Sequence, residues 1–293
     1  MKRLTVLSGK GGVGKSSIAA SLAILLSEKH RVVCADCDVD ASNLALVLGV
    51  SEEDFLEKKP VSTNKKAVLI EEKCTGCGKC VNACYFNAIK WNKEKKQPEF
   101  NSLTCEGCNA CSIACPNNAI KLVAVENATI SYARTKQGIE IVTGQLEMGE
   151  SGSGRVVALV KKMAEEKAGK ADFLIVDAAA GIGCPVIASI VGSDFVVAVT
   201  EPTPSGLSDL KRALGVVSHF GIPYGIVINK ADINQKMTRE IEAFASAQGA
   251  KILSRIPYNK AFVDALVQLK PVIKFDPSTR KFFEEILERA GIR

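Results

Sequence analysis

A doubled cysteine motif constrains this sequence more than any other feature. Eight of the eleven cysteines fall between residues 74 and 115. They form two runs of the pattern Cys-x₂-Cys-x₂-Cys-x₃-Cys, and the second run repeats the first at an offset of 31 residues. The match continues beyond the cysteines, because Asn87-Ala88-Ile89-Lys90 returns as Asn118-Ala119-Ile120-Lys121. The segment is therefore predicted to fold as two copies of one small unit.

The spacing within each run indicates iron-sulfur ligation and resembles that of two-cluster ferredoxins. Three thiolates on one tight loop can hold one face of a [4Fe–4S] cube, and the fourth ligand then comes from the other run. Zinc is the alternative, but the doubled spacing does not suit tetrahedral zinc pairs. The expected ligand sets are Cys74, Cys77, Cys80 and Cys115 for one cluster, and Cys84, Cys105, Cys108 and Cys111 for the other.

The cysteine segment interrupts a chain of different character. Elsewhere, continuous apolar strands alternate with helices, which is typical of a mostly parallel α/β sheet with helices on both faces. We expect this domain to comprise residues 1–60 and 124–293, and a small inserted α+β ferredoxin domain to comprise residues 61–123. Ala67–Ile70 and Ile120–Val123 are predicted to pair, which brings the ends of the insert together. The other strands are predicted at 4–7, 32–36, 139–142, 173–176, 195–200, 225–229 and 251–254, and helices at 16–28, 154–167, 207–219, 237–247, 259–269 and 279–289.

Composition and charge exclude several classes of protein. The 293 residues are 47% apolar and 24% charged, which is typical of globular proteins. No apolar stretch reaches the length of about 18 residues that a membrane span needs, and the first residues lack a signal-peptide core. The net charge of +6 is spread along the chain, so we expect no nucleic-acid partner. Eleven cysteines then favour metal ligation in a reducing compartment, and we expect a cytoplasmic protein.

A glycine-rich loop near the N-terminus predicts a phosphate-binding site. Residues 9–16 fit the P-loop pattern between a predicted strand and a predicted helix. The glycines let backbone N–H groups approach phosphate oxygens, the lysine can reach the β- and γ-phosphates, and the serine hydroxyl suits Mg²⁺. An ordinary glycine-rich turn is the alternative. We expect ATP or ADP with Mg²⁺, bound by Gly11, Gly12, Val13, Gly14, Lys15, Ser16 and Ser17.

The loop resembles the deviant P-loop of the MinD/ParA/Mrp-type ATPases, a class that includes the nitrogenase iron protein. The resemblance rests on its sequence Lys-Gly-Gly-Val-Gly-Lys-Ser, in which Lys10 is an additional lysine. In that family this lysine contacts the nucleotide of the opposite subunit in an ATP-bound dimer. The resemblance therefore implies an ATP-dependent homodimer, or a heterodimer with a related ATPase, and makes Lys10 and Lys15 candidate catalytic residues.

Further stretches support the resemblance. Asp36 and Asp38 follow the second predicted strand and share one face at its carboxyl end. The resemblance implies that Asp38 orients the attacking water and that Asp36 supports the Mg²⁺ shell, whereas a solvated acidic turn is the alternative. Asp177 follows a predicted strand and resembles the Walker B aspartate, which also serves Mg²⁺. Asn229 resembles the asparagine that hydrogen-bonds adenine.

Three cysteines lie outside the doubled motif. Cys34 and Cys37 are three residues apart on a predicted strand, so they point to opposite faces and are interpreted as structural. Cys184 follows Asp177 by seven residues, where the nitrogenase iron protein has a cluster ligand. Because residues 116–183 supply no second cysteine, we expect a buried thiol at the start of a helix.

These features predict an ATPase that couples nucleotide state and dimerisation to electron transfer through its own ferredoxin domain, with an unidentified redox protein as partner. Two alternatives stay open. One is an iron-sulfur cluster carrier or assembly factor that resembles the Mrp-type proteins, and the other is a ParA/MinD-like positioning switch on DNA or membrane. Cluster transfer to an apo-acceptor separates the first two hypotheses, and cosedimentation with lipid or DNA tests the third.

Overall fold

The structure, a computed structural model, describes residues 1–292 and divides them into two compact units. The first unit comprises Met1–Lys58, Ile130–Gln145 and the chain from Ser153 onward. The second unit comprises Lys59–Thr129 and Leu146–Gly152. It extends a few residues beyond the predicted insert on both sides, and it includes a short stretch that the sequence placed in the α/β domain.

The strands and helices have the following bounds. The strands are β1 Lys2–Ser8, β2 Val32–Cys37, β3 Phe55–Val61, β4 Asn64–Leu69, β5 Ile89–Asn92, β6 Gln97–Phe100, β7 Ile120–Val125, β8 Ala128–Arg134, β9 Glu140–Leu146, β10 Phe173–Ala180, β11 Phe195–Thr200, β12 Tyr224–Asn229 and β13 Lys251–Ile256. The helices are α1 Lys15–Ser27, α2 Leu44–Val47, α3 Lys79–Ala83, α4 Ala110–Ile113, α5 Ser153–Ala168, α6 Cys184–Ile190, α7 Pro204–His219, α8 Gln235–Ala247, α9 Ala261–Val267, α10 Val272–Phe275 and α11 Arg280–Arg289.

The main sheet confirms the predicted mostly parallel α/β architecture. Its strand order is β13-β12-β11-β1-β10-β2-β9-β8-β3, and every pair from β13 to β9 is parallel. These strands are buried along most of their length, which explains their continuous apolar sequences. The predicted strands and helices of this unit are all present to within a few residues, and a helix begins at Cys184 as expected, whereas β3, β8, α2 and α10 were not predicted.

Helices cover both faces of the sheet. Successive residues of a strand point to opposite faces, and the neighbours Val6 and Leu7 of β1 lie in different apolar clusters. Val6 packs in the cluster that contains side chains of α1 and α11, whereas Leu7 packs with side chains of α6 and α7. The central strand β1 is therefore buried from both sides.

The strand order brings the predicted polar residues to one edge of the sheet. The strand β1 lies between β11 and β10, and the glycine-rich loop follows its carboxyl end. The parallel register pairs Asp177 of β10 with Asp36 of β2. Ligands of such sheets bind at the carboxyl ends of the strands, where the strand order reverses. The fold thus places the loop and the two aspartates at the expected ligand edge.

The second unit contains two antiparallel strand pairs, β4 with β7 and β5 with β6. The predicted pairing of the two ends of the insert is confirmed, since Leu69 is the partner of Ile120. The counterparts of these residues at the offset of 31, Phe100 and Ile89, are partners in the other pair. The sequence repeat is therefore also a structural repeat.

Within residues 1–292, none of the helices is both long and apolar enough to cross a membrane.

Candidate nucleotide site and cysteine cavities

The glycine-rich loop leaves the start of α1 open for a ligand. Gly14, the residue before the helix, has φ +93°, and a Cβ at this position would lie 2.6 Å from Asn229 Nδ2. Only glycine combines this backbone conformation with this close approach. Gly14 also has no side chain that could cap the helix, so the first N–H groups of α1 stay free for an anion.

Asn229 holds the glycine-rich loop from the end of β12. Its Nδ2 donates a hydrogen bond of 2.8 Å to the backbone oxygen of Val13, and its Oδ1 accepts one of 3.0 Å from Lys230 N. The side chain is buried. The resemblance predicted an adenine contact for Asn229, whereas the structure shows its amide engaged with protein groups that fix the shape of the loop.

Lys15 is a buried cation among carboxylates. Its Nζ lies 2.6 Å from Asp177 Oδ1 and 3.6 Å from Asp38 Oδ2. Burial alone would lower the pKa of Lys15, but the carboxylates of Asp177, Asp38 and Asp36 outweigh this effect and raise the pKa. Lys15 is therefore charged at neutral pH, and protein groups neutralise it in the absence of phosphate.

Asp36 organises the loop that follows β2. Its Oδ2 accepts hydrogen bonds from Ser42 Oγ at 2.7 Å and from Leu44 N at 2.8 Å, and its Oδ1 accepts one from Asp38 N. Ser42 also hydrogen-bonds the hydroxyl of Thr143 on β9. Burial, together with the neighbouring carboxylate of Asp177, raises the pKa of Asp36 to about 7. Neither hydroxyl residue was predicted from the sequence, because isolated serines and threonines carry no distinctive signal.

The oxygen ligands at this edge fit Mg²⁺. Asp177 is completely buried, and its Oδ2 has no hydrogen-bond partner among the described residues. An unpaired buried carboxylate oxygen is rare without a ligand. Ser16 supplies a half-buried hydroxyl in the first turn of α1, and burial raises the pKa of Asp38. Carboxylates and a hydroxyl are hard oxygen donors, which Mg²⁺ prefers.

Lys10 is held by a carboxylate of its own chain. Its Nζ lies 2.7 Å from Glu201 Oε1 and donates a hydrogen bond of 3.2 Å to Ser205 Oγ. The other oxygen of Glu201 lies 2.8 Å from Lys230 Nζ. Burial alone would raise the pKa of Glu201, but hydrogen bonds from the two lysines lower it. Glu201 was not among the predicted site residues, although an acidic residue directly after a buried strand was a usable signal.

Two cavities of the second unit are each lined by four cysteines. Together with the space open to solvent at their mouths, one measures about 320 Å³ and the other about 330 Å³. Each cavity combines three cysteines of one motif with the fourth of the other. The sets are Cys74, Cys77, Cys80 and Cys115 in the smaller cavity, and Cys84, Cys105, Cys108 and Cys111 in the larger.

The cysteine sets do not resemble a site for one ion. Within residues 1–292, no group of three or more histidine, cysteine, aspartate or glutamate side chains is arranged to hold a single metal ion. In a zinc site the sulfur ligands all lie about 2.3 Å from one ion, which draws them close together. Thiolates around a cube bind different irons and stand further apart. Four cysteine sulfurs around each cavity are the donor set that a [4Fe–4S] cube requires.

The backbone of the two motifs matches in detail. Gly76 and its counterpart Gly107 have φ +68° and +64°, and Asn87 and its counterpart Asn118 have φ +52° and +50°. A Cβ on Gly107 would lie 2.2 Å from the backbone oxygen of Lys65, so only glycine fits there. These left-handed positions recur at the same places in both motifs, each of which contributes three cysteines to one cavity and one to the other.

Comparison with known proteins identifies the family. The profile of the CobQ/CobB/MinD/ParA nucleotide-binding domain matches residues 4–272. The chain belongs to this family. An uncharacterised protein of Methanocaldococcus jannaschii is 39% identical over 79% of this chain and 79% of its own length. As a CobQ/CobB/MinD/ParA protein with an intact P-loop, the chain is a nucleotide-binding ATPase of the MinD/ParA type.

More distant members of the CobQ/CobB/MinD/ParA family carry specific names. The septum site-determining protein MinD of Pyrococcus horikoshii, whose structure was solved with Mg-ADP, superposes with a TM-score of 0.60 at 19% identity, over 98% of this chain and 95% of that one. This likeness shows the fold. A protein named iron-sulfur cluster carrier, from Pyrococcus abyssi, is 23% identical over 98% of this chain and 84% of its own length.

The three cysteines outside the cavities differ from one another in exposure. Cys34 and Cys37 are completely buried in β2, and burial raises the pKa of both thiols, so they stay protonated. Cys184 begins α6 as predicted, but it is exposed, so the expectation of a buried thiol was wrong. The helix is short and its first residues face solvent, which the periodicity of the sequence did not reveal.

Proposed function

We propose that this protein is a Mg²⁺-dependent ATPase that couples nucleotide binding and subunit association to electron transfer through two [4Fe–4S] clusters. One observation carries the proposal: a single chain combines the P-loop of its family with two cavities, each lined by four cysteines drawn from both motifs. When bound, such clusters accept and donate single electrons at low potential. The eight cysteines would hold them as thiolates.

In the nucleotide site, Lys15 would exchange carboxylates for phosphate oxygens. Its Nζ now lies against Asp177 Oδ1, and a bound β- or γ-phosphate offers it a more concentrated negative charge. Asp177 would then present two oxygens without a cation, beside the hydroxyl of Ser16 and the carboxylate of Asp36. These groups would hold Mg²⁺, and Asp38, released from Lys15, would accept a proton from the attacking water.

Lys10 would leave Glu201 to contact the nucleotide of a second subunit, in a homodimer or in a heterodimer with a related ATPase. Lys10→Ala should therefore bind ATP normally but fail to associate, because the alanine has no charge to offer the partner's phosphates. Sedimentation velocity with Mg²⁺-ATP measures the association, and the exposed Lys29→Ala is the matched control. ATP-dependent dimers of Lys10→Ala would contradict this part of the proposal.

The cluster content is tested by metal analysis of anaerobically purified protein. Two cubes predict about eight irons per chain. Cys108→Ser should remove mainly the cluster of the larger cavity, which that residue lines, and leave about four irons. Stoichiometric zinc, or a loss of iron from both cavities in equal measure, would contradict the ligand sets.

Coupling between nucleotide and redox state is supported by the course of β9. Thr143 of β9 contacts Ser42, which hydrogen-bonds Asp36, and the same strand continues into the second unit at Leu146. A typical coupling of about 1–3 kcal/mol corresponds to roughly 40–130 mV for one electron. Anaerobic redox titration of Asp38→Asn with and without Mg²⁺-ATP measures this shift. Unchanged potentials, together with a rate of electron transfer that does not depend on ATP, would show that the ferredoxin domain is only tethered to the ATPase and not coupled to it.

Cluster delivery is a second candidate function, favoured by the relative from Pyrococcus abyssi that is named as an iron-sulfur cluster carrier. Incubation with an apo-ferredoxin under anaerobic conditions separates the two functions. A carrier loses iron to the apo-acceptor, whereas an electron-transfer protein keeps its eight irons and, once reduced by dithionite, passes electrons to cluster-loaded ferredoxin in a separate assay.

A further inference from the structure

The two halves of the second unit differ at one backbone position beside each cavity. The offset of 31 residues maps Ala67 of β4 onto Pro98 of β6. The strand registers agree with this mapping, because Ala67 is the partner of Leu122 and Pro98 is the partner of Trp91, which lies 31 residues before Leu122. Ala67 lines the larger cavity and Pro98 lines the smaller one.

The backbone N–H groups that reach cysteine sulfurs follow the same symmetry with one exception. Ala88 N donates to Cys84 Sγ at 3.3 Å, and its counterpart Ala119 N donates to Cys115 Sγ at the same distance. Ala67 N donates to Cys105 Sγ at 3.5 Å. The counterpart of that bond would run from residue 98 to Cys74, but proline has no N–H and cannot donate it.

A hydrogen bond to a thiolate ligand stabilises the more negative, reduced cluster and raises its reduction potential. We propose that Pro98 withholds such a bond and so lowers the potential of the cluster held by the smaller cavity relative to the other. This inference rests on the proposed function. A single electron from a low-potential donor would then reside mainly at the larger cavity, without exchange of a proton or a covalent bond.

One charge acts against this difference. Glu106 lines the larger cavity where its counterpart in the smaller cavity is Thr75, and a carboxylate lowers the potential of a nearby cluster. Glu106 is exposed, however, and water and salt screen its charge. The N–H of Ala67 lies in the buried core of the unit and is not screened in this way. The hydrogen bond should therefore dominate.

The test is Pro98→Ala, which restores an N–H at this position. Anaerobic redox titration followed by EPR gives the potentials, and the shifted NMR signals of the cysteine β-protons assign each potential to a cavity. We expect the ratio of reduced cluster in the larger cavity to reduced cluster in the smaller cavity to fall about tenfold. This corresponds to about 59 mV for one electron. Pro60→Ala, an exposed proline that lines neither cavity, should shift neither potential.

The reciprocal variant Ala67→Pro should lower the potential at the larger cavity and leave the other unchanged. If it loses iron because β4 is disturbed, Pro98→Ala decides alone. An unchanged or lower potential at the smaller cavity in Pro98→Ala overturns the inference. Wild-type protein without two clusters would instead refute the proposed function, so the iron content is measured first and the two failures are distinguishable.

Discussion

The nucleotide site and the cysteine cavities are built in opposite ways. In the nucleotide site, both lysines already have protein partners, since Lys15 lies against Asp177 and Lys10 against Glu201. In the second unit, the cysteines themselves form much of the core. Three of the seven buried residues in its hydrophobic cluster are cysteines, namely Cys80, Cys105 and Cys111. The lysines of the first site are held in place before a ligand arrives, whereas the second unit lacks a core that is independent of its cysteines.

The largest effect that this comparison predicts is the selective unfolding of the second unit when iron is removed. Anaerobic chelation leaves free thiols around two cavities, and the small cluster of alanines and isoleucines that remains cannot offset the chain entropy. Hydrogen exchange followed by mass spectrometry should show lost protection in β4–β7, while β1 and β10 stay protected. Equal protection of β4–β7 with and without iron would show that the second unit folds on its own.

The nucleotide site should suffer most from Lys15→Ala. This change leaves the buried carboxylates of Asp177 and Asp36 without their cation, and breaking a buried ion pair costs about 3–5 kcal/mol. Tight ATP binding should be lost as well. Urea unfolding of the first unit and equilibrium ATP binding measure the two effects, and the exposed Lys29→Ala should change neither.

The pH dependence sharpens the same prediction. Burial raises the pKa of Asp36 to about 7, so in the folded protein it takes up a proton as the pH falls through 7. In the unfolded chain its pKa is 3.8, so there it stays ionised until the pH falls to about 4. The free energy of unfolding of Lys15→Ala should therefore fall as the pH rises from 6 to 8, because more negative charge is then buried without a partner. A free energy of unfolding of Lys15→Ala that does not change between pH 6 and 8 would show that these carboxylates do not govern stability.

The two regions also differ in what their sequences reveal. The doubled motif predicted both the membership of each cysteine set and the pairing of the insert's ends, because fixed spacings on tight loops allow few arrangements. The P-loop and the positions of Asp36 and Asp177 could equally be predicted from the sequence, since the end of a continuous apolar run marks the end of a buried strand. The contacts that hold these residues could not be predicted. Thr143 and Glu201 come from segments distant in the chain, and strand order brings them to the site, whereas Ser42 lies only six residues after Asp36 but carries no distinctive signal.

A smaller effect, confined to catalysis, is expected from Asp38→Asn. The amide keeps the shape of the side chain but cannot accept a proton, so hydrolysis should fall by about 10²–10⁴-fold. ATP binding should persist, because Lys15 and the backbone of the loop are intact. Single-turnover hydrolysis and equilibrium binding test this split. Asp40→Asn, an exposed neighbour, is the control, and a variant that hydrolyses ATP at the normal rate would remove Asp38 from the mechanism.

The smallest effect concerns the balance of charge around Lys10. In Glu201→Gln the charged partner of Lys10 becomes a neutral amide, so less free energy is needed to move the lysine toward the phosphates of another subunit. The bond that is lost is half-exposed and competes with Ser205, so the gain should be several-fold in the affinity of the ATP-bound dimer, less than the full value of about 1.5–3 kcal/mol for a charged hydrogen bond.

The double variant Lys10→Ala with Glu201→Gln decides how Glu201 acts. If Glu201 works through Lys10, the glutamine has no effect on association once the lysine is gone, and the two changes are strongly non-additive. If Glu201 serves only to anchor Lys230 and the start of α7, its substitution should weaken both variants alike. Sedimentation equilibrium with Mg²⁺-ATP over a range of concentrations measures all four proteins. Weaker association of Glu201→Gln in the presence of Lys10 would show that the nucleotide site needs this carboxylate for its architecture, and that the balanced charges do not restrain Lys10.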